Sequence, residues 1–111
     1  MHITKSQIEQ TTILVIDGEV NFNSSPELKK VFDELLKKGA QKFIIDFTKI
    51  SYIDSSGLAT MLEVLQRLKP SKGSLSLINI SVKIKNVFHV TKLDSFFPMY
   101  NSLDEALASL N

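Results

Sequence analysis

The sequence predicts an α/β domain: a mixed sheet of four or five strands with about four helices, forming one unit over residues 1–111. Three observations carry this prediction. Short runs of β-branched and apolar residues alternate with longer segments whose apolar residues recur at helical spacing. Stop signals separate them, among them Gly39, Pro70 and Gly73. The length of 111 residues, with 43% hydrophobic and 23% charged, suits a single globular core and leaves little room for a second.

Residues 3–20 read as two strands joined near Glu9-Gln10-Thr11. Thr12-Ile13-Leu14-Val15-Ile16 is β-branched and apolar, as a strand covered on both faces requires. Ser24-Ser25-Pro26 predicts a helix start, a serine cap followed by proline at the first helical position. Leu28, Val31, Phe32, Leu35 and Leu36 then make one apolar stripe, and Lys37-Lys38-Gly39 ends the helix with cations and a glycine. Phe43-Ile44-Ile45-Asp46-Phe47 reads as a central strand, with Asp46 hydrogen-bonded near its end in a structural role.

A second helix is predicted over residues 56–69, with Leu58, Met61, Leu62, Leu65 and Leu68 on one face. Leu75-Ser76-Leu77-Ile78 is the next strand, so residues 43–78 form a βαβ unit whose strands run parallel. A third helix is expected over residues 81–90, with Ile84, Val87 and Phe88 inward. Phe96-Phe97-Pro98-Met99-Tyr100 reads as a short strand or extended segment devoted to core and edge packing. Ser102 and Glu105 form a capping box for a last helix with Leu103, Ala106, Leu107 and Leu110 on its apolar face.

Composition narrows the function. Without cysteine there is no disulfide framework, thiolate metal ligand or thiol nucleophile. The first six residues lack the apolar core of a signal peptide, and no apolar stretch approaches the roughly 18 residues of a membrane span. A net charge of +1 with scattered basic residues leaves no footprint for nucleic acid. Lys29, Lys30, Lys37 and Lys38 read as the solvated face of the first helix. His2 and His89 have no ligand at metal spacing, and neither a Gly-x-Ser-x-Gly elbow nor a phosphate-cradling glycine loop is present. The expectation is a cytoplasmic, non-enzymatic domain needing no cofactor or metal, with no nucleic acid partner and no direct membrane insertion.

The segment Ile50-Ser51-Tyr52-Ile53-Asp54-Ser55-Ser56-Gly57-Leu58-Ala59 is the most informative. It follows the central strand, where open α/β sheets place their functional sites. Asp54, Ser55 and Ser56 supply three cap-forming residues where one suffices. Gly57 falls in the first helical turn at a cost of about 1 kcal/mol relative to alanine. That position gives up helix stability, and a missing side chain lets a partner approach the backbone. Ser55 by itself also reads as an N-cap, and Ser56 as the structural cap beside it. Asp54 has three open roles: orienting a hydroxyl, contacting a partner or ending the strand.

Asp54-Ser55-Ser56-Gly57-Leu58, preceded by Ile50-Ser51-Tyr52-Ile53, resembles the phosphorylation motif of anti-sigma factor antagonists in the STAS family. The likeness extends to Gly18-Glu19-Val20, Ser25-Pro26-Glu27-Leu28 and Val87-Phe88. It implies a STAS fold in which Ser55 accepts phosphate, with Asp54, Ser56, Gly57, Leu58 and Asn21 on the partner-binding surface. Asn21 stands where the family often carries Asp in a Gly-Glu-x-Asp pattern, and Ala59 stands where glycine is common. The implied partners are an anti-sigma factor with serine kinase activity and a serine phosphatase acting on the phosphorylated form. The unphosphorylated chain would bind the anti-sigma factor and release the sigma factor, as a monomer when free. The alternative implied by the same resemblance is a STAS accessory subunit docking on the ATPase of a membrane lipid-transport complex.

Overall fold

A computed structural model of the protein describes residues 1–110. The elements in chain order are β1 (His2–Ile8), β2 (Thr11–Val20), α1 (Ser25–Lys37), β3 (Lys42–Asp46), β4 (Ile50–Ile53), α2 (Ser55–Leu68), β5 (Ser74–Ile78), α3 (Val82–Val90), β6 (Met99–Tyr100) and α4 (Leu103–Ser109). The sheet runs β1-β2-β3-β5-β6, with β4 paired to β2 away from that path. Only β1 is antiparallel to its neighbour. The predicted βαβ unit is present: β3 and β5 are parallel neighbours in the register Phe43↔Leu75 and Ile45↔Leu77.

Side-chain parity divides the core into two layers. Leu14, Ile16, Phe43, Ile45, Leu75 and Leu77 point to one face, where α1, α2 and α3 cover them with Leu28, Phe32, Leu58, Met61, Val64, Leu68, Ile84 and Phe88. Ile13, Ile44 and Ile78 point to the other face, where Ala106 of α4 and its half-buried neighbours Leu103, Leu107 and Leu110 meet them. Burial on both faces explains why β2 and β3 read as continuous apolar runs.

Several elements depart from the sequence reading. The sheet has six strands instead of four or five, because Ile50–Ile53 is itself a strand and not part of a loop. Its four residues carry a polar Ser51-Tyr52 centre whose side chains are exposed, so the apolar signal is confined to Ile50 and Ile53. Neither Ser24 nor Ser25 caps α1. The Ser24 hydroxyl donates to the Glu19 carbonyl (2.7 Å) and the Ser25 hydroxyl to the Asn21 carbonyl (2.6 Å), so both serines fasten the helix start to the end of β2. Phe97 is buried as expected, but Phe96 is exposed, because only Met99–Tyr100 pairs with the sheet.

Other terminations match their signals. Past the end of α1, the amides of Gly39 and Ala40 bond back to the carbonyls of Leu36 (3.0 Å) and Leu35 (3.1 Å), the paired bonds of a Schellman turn. Ser102 accepts from the Glu105 amide at 3.2 Å, while the Glu105 carboxylate reaches the Asn101 amide at 3.0 Å, one residue before the expected partner. Asp46 ends β3 and accepts from the Thr48 amide (2.9 Å) and the Asn79 amide group (3.3 Å), the structural role expected of it. Lys29 is not wholly solvated, since it pairs with Glu63 at 3.4 Å, and Arg67 with Asp33 gives α1 and α2 a second surface tie.

Candidate functional site

The site is built where β2 leaves the sheet. Thr11 to Val15 pair with β3, and the register shifts between Gly18 and Glu19 as the strand turns to β4. Gly18 has φ +115°, a conformation that side chains disfavour, and its amide bonds to the Lys49 carbonyl at 3.0 Å. The Asp54 amide then bonds to the Val20 carbonyl at 3.1 Å, so the ends of β2 and β4 lie side by side. From them issue the loop into α1, carrying Asn21 and Phe22, and the start of α2, carrying Ser55.

The cap of α2 is Asp54, not Ser55 or Ser56. Asp54 has extended backbone angles, and its Oδ1 accepts from the amides of Ser56 (2.9 Å) and Gly57 (3.2 Å). A carboxylate is also the better cap electrostatically, because it meets the positive end of the helix dipole. Its Oδ2 reaches across to accept from the Phe22 amide at 3.1 Å. Ser55 is therefore the first helical residue. It is exposed, and its hydroxyl makes no hydrogen bond among the described residues. Ser56 is half-buried, and its carbonyl accepts from the Thr60 hydroxyl at 3.0 Å.

Gly57 faces inward. The close approach it permits is by the chain's own strands: a Cβ there would lie 2.7 Å from Val20 Cγ1, 2.8 Å from Ile53 Cγ1 and 3.0 Å from the Val20 carbonyl oxygen. Leu58 is only 4% exposed and belongs to the main core. Both residues seat the helix start against β2 and β4, and so set where Ser55 stands. We expect Gly57→Ala to destabilise the domain by about 1 kcal/mol in urea unfolding. Helix propensity favours alanine by about 1 kcal/mol, but overpacking against a stiff β-branched side chain and a backbone oxygen costs roughly 1–3 kcal/mol. A variant more stable than the parent would show that the helix start shifts freely.

Asn21 is half-buried, and its Oδ1 accepts from the amides of Asn23 (2.9 Å) and Ser24 (3.0 Å). An amide oxygen serves this turn as a carboxylate would, so the loop holds without the negative charge. Two aromatics are exposed at these strand ends, Phe22 within the turn at 77% and Tyr52, paired with Glu19, on β4 at 44%. The sequence reading missed Phe22, although a lone aromatic in the polar run Asn21-Phe22-Asn23-Ser24 is a legible signal of a contact residue. His89 is on α3, exposed, with Nδ1 3.1 Å from Asp94 Oδ2. Its hydrogen bond holds the Asp94 carboxyl below the usual range.

The family model described as STAS domain matches residues 2–106. The chain belongs to the STAS domain family. BtrV of Bordetella bronchiseptica, named as a candidate anti-sigma factor antagonist, is 28% identical to this STAS domain over 109 residues, spanning 98% of this chain and 94% of BtrV. A crystal structure from Thermotoga maritima with the same designation shares 28% identity and superposes with TM-score 0.91, covering 96% of this chain and 92% of that one. The anti-sigma factor antagonist SpoIIAA of Bacillus matches in fold in both its forms. The unphosphorylated form has TM-score 0.75 and 22% identity over 97% and 96% of the two chains. The phosphorylated form has TM-score 0.76 and 20% identity over 99% and 100%. Among the described residues no helix is long and apolar enough to cross a membrane.

Proposed function

We propose that this STAS domain is an anti-sigma factor antagonist whose hold on its partner is broken by phosphorylation of Ser55. The unmodified chain binds a cytoplasmic anti-sigma factor with serine kinase activity and so frees the sigma factor. The kinase transfers the γ-phosphoryl of ATP to Ser55 Oγ, releasing ADP and the hydroxyl proton, and a serine phosphatase hydrolyses the ester to restore binding. The chain is thus a kinase substrate and binding partner, not a catalyst.

One observation carries this reading: Asp54 takes over the capping of α2 and leaves the adjacent Ser55 hydroxyl exposed and unengaged. A serine needed for stability would have made the cap itself. The names of the relatives support the antagonist role, and the two SpoIIAA forms match this chain equally well, at TM-scores of 0.75 and 0.76. A phosphoryl group on this fold is therefore expected to act at the surface without refolding the domain.

Incubation with the cognate kinase and ATP should add one phosphate, read by intact mass. Ser55→Ala should add none, and a variant phosphorylated to the same extent would remove Ser55 as acceptor. Co-purification from the native host separates the antagonist from a transporter accessory subunit: the first brings down an anti-sigma kinase, the second a transport ATPase.

A further inference from the structure

Asp54 does more than cap a helix. Its Oδ1 holds the amides of Ser56 and Gly57, while its Oδ2 holds the amide of Phe22, 32 residues away on the loop between β2 and α1. Phe22 projects an aromatic side chain that is 77% exposed. Asn21 closes a turn around Phe22: its Oδ1 accepts from the amides of Asn23 and Ser24, and its own amide bonds to the Ser24 hydroxyl at 2.9 Å. The amide of Phe22 itself bonds, among the described residues, to the Asp54 carboxylate alone.

We propose that the Asp54 carboxylate is a latch through which phosphorylation of Ser55 releases Phe22, an aromatic anchor of the partner-binding surface. This inference rests on the reading of Ser55 as the phosphorylated residue and specifies how the modification is transmitted. Rigid aromatics fixed in advance make strong contact residues, because little ordering is left for the moment of binding. A phosphoryl group at residue 55 brings about −1.5 to −2 charges and three acceptor oxygens beside Asp54. Those oxygens seek the same helix-start amides that Oδ1 occupies, since the N-terminus of a helix is where a phosphate is best held. Two anions cannot share the amides of Ser56 and Gly57 without repulsion. The carboxylate swings away, Oδ2 leaves the Phe22 amide, and the turn that bears the ring loses its tie to the start of α2.

The latch is tested on the isolated protein by amide exchange and backbone NMR, with phosphoserine installed at residue 55 during translation and no kinase present. Asp54→Asn supplies the matched comparison. Its remaining oxygen still accepts from the two helix amides, but an NH2 group replaces the oxygen facing Phe22 and cannot accept. In both the phosphoprotein and Asp54→Asn, the Phe22 amide should exchange about tenfold faster than in the parent, and its resonance should move in the same direction. The amides of Ile44 and Leu77 in the central strands should keep their protection.

A phosphoprotein whose Phe22 amide keeps the parent's shift and exchange rate overturns the latch. If Asp54→Asn unfolds, the phosphoprotein against the parent still decides. Because the phosphate is installed without a kinase, the result is independent of whether a kinase ever modifies Ser55, and only the kinase assay can remove that parent reading.

Discussion

Ser55→Asp is expected to lower affinity for the anti-sigma partner by tenfold or more, about 1.4 kcal/mol, while leaving the thermal midpoint close to that of the parent. The two halves of this expectation have different physical origins. Within the domain, a carboxylate at the first position of α2 meets the positive end of the helix dipole and is tolerated. In the complex proposed for the unmodified chain, the same charge would have to be stripped of water against a surface fitted to a neutral hydroxyl beside Asp54. The phosphoryl group carries nearly twice the charge and should act more strongly. Shifting a complex from almost wholly bound to almost wholly free takes a differential of about 5.5 kcal/mol. Calorimetric titration of the partner with parent, Ser55→Asp and Ser55→Ala chains reads the effect. Unchanged affinity for Ser55→Asp, or a domain that unfolds, would count against a surface electrostatic switch.

Phe88→Ala should destabilise the domain by roughly 3–5 kcal/mol, a large part of what a domain of this size possesses. Phe88 is fully buried on α3, edge-on to Phe47 at 6.1 Å and to Phe97 at 5.6 Å between ring centroids. Its removal deletes two edge-to-face contacts and leaves a cavity where three elements meet. These are the end of β3, the helix α3 and the segment leading to β6. Urea unfolding followed by circular dichroism gives the value. Phe96→Ala is the internal control: Phe96 is exposed, so its loss should change stability by no more than about 0.5 kcal/mol. A loss below about 1 kcal/mol for Phe88→Ala would mean that the surrounding rings close the cavity.

Much of the architecture was legible because the signals are local. Helical spacing in α1 and α2, the apolar runs of β2, β3 and β5, and the Ser102 cap lie in continuous sequence, and each element formed near its predicted place. β4 was not legible, because a four-residue strand with a polar centre has too few apolar positions to show a period, and its partner, the end of β2, is remote in sequence. The capping of α2 was misread for a related reason. Asp54, Ser55 and Ser56 are all competent caps, and the choice fell to the residue whose backbone β4 leaves extended and whose second oxygen finds Phe22.

By itself the sequence determined the α/β class, the single domain, the location of the informative turn and the family, since periodicity, punctuation and a short motif are properties of the chain read in order. Only the tertiary structure decided that Gly57 makes room for Val20 and Ile53, that Asp54 caps α2, and that Asp54 joins the start of α2 to the loop bearing Phe22. Val20 and Phe22 lie more than thirty residues from Gly57 and Asp54, and how two parallel strand ends pack side by side brings them together. No local propensity encodes which of three neighbouring polar groups will end up facing a distant amide and which will be left facing water.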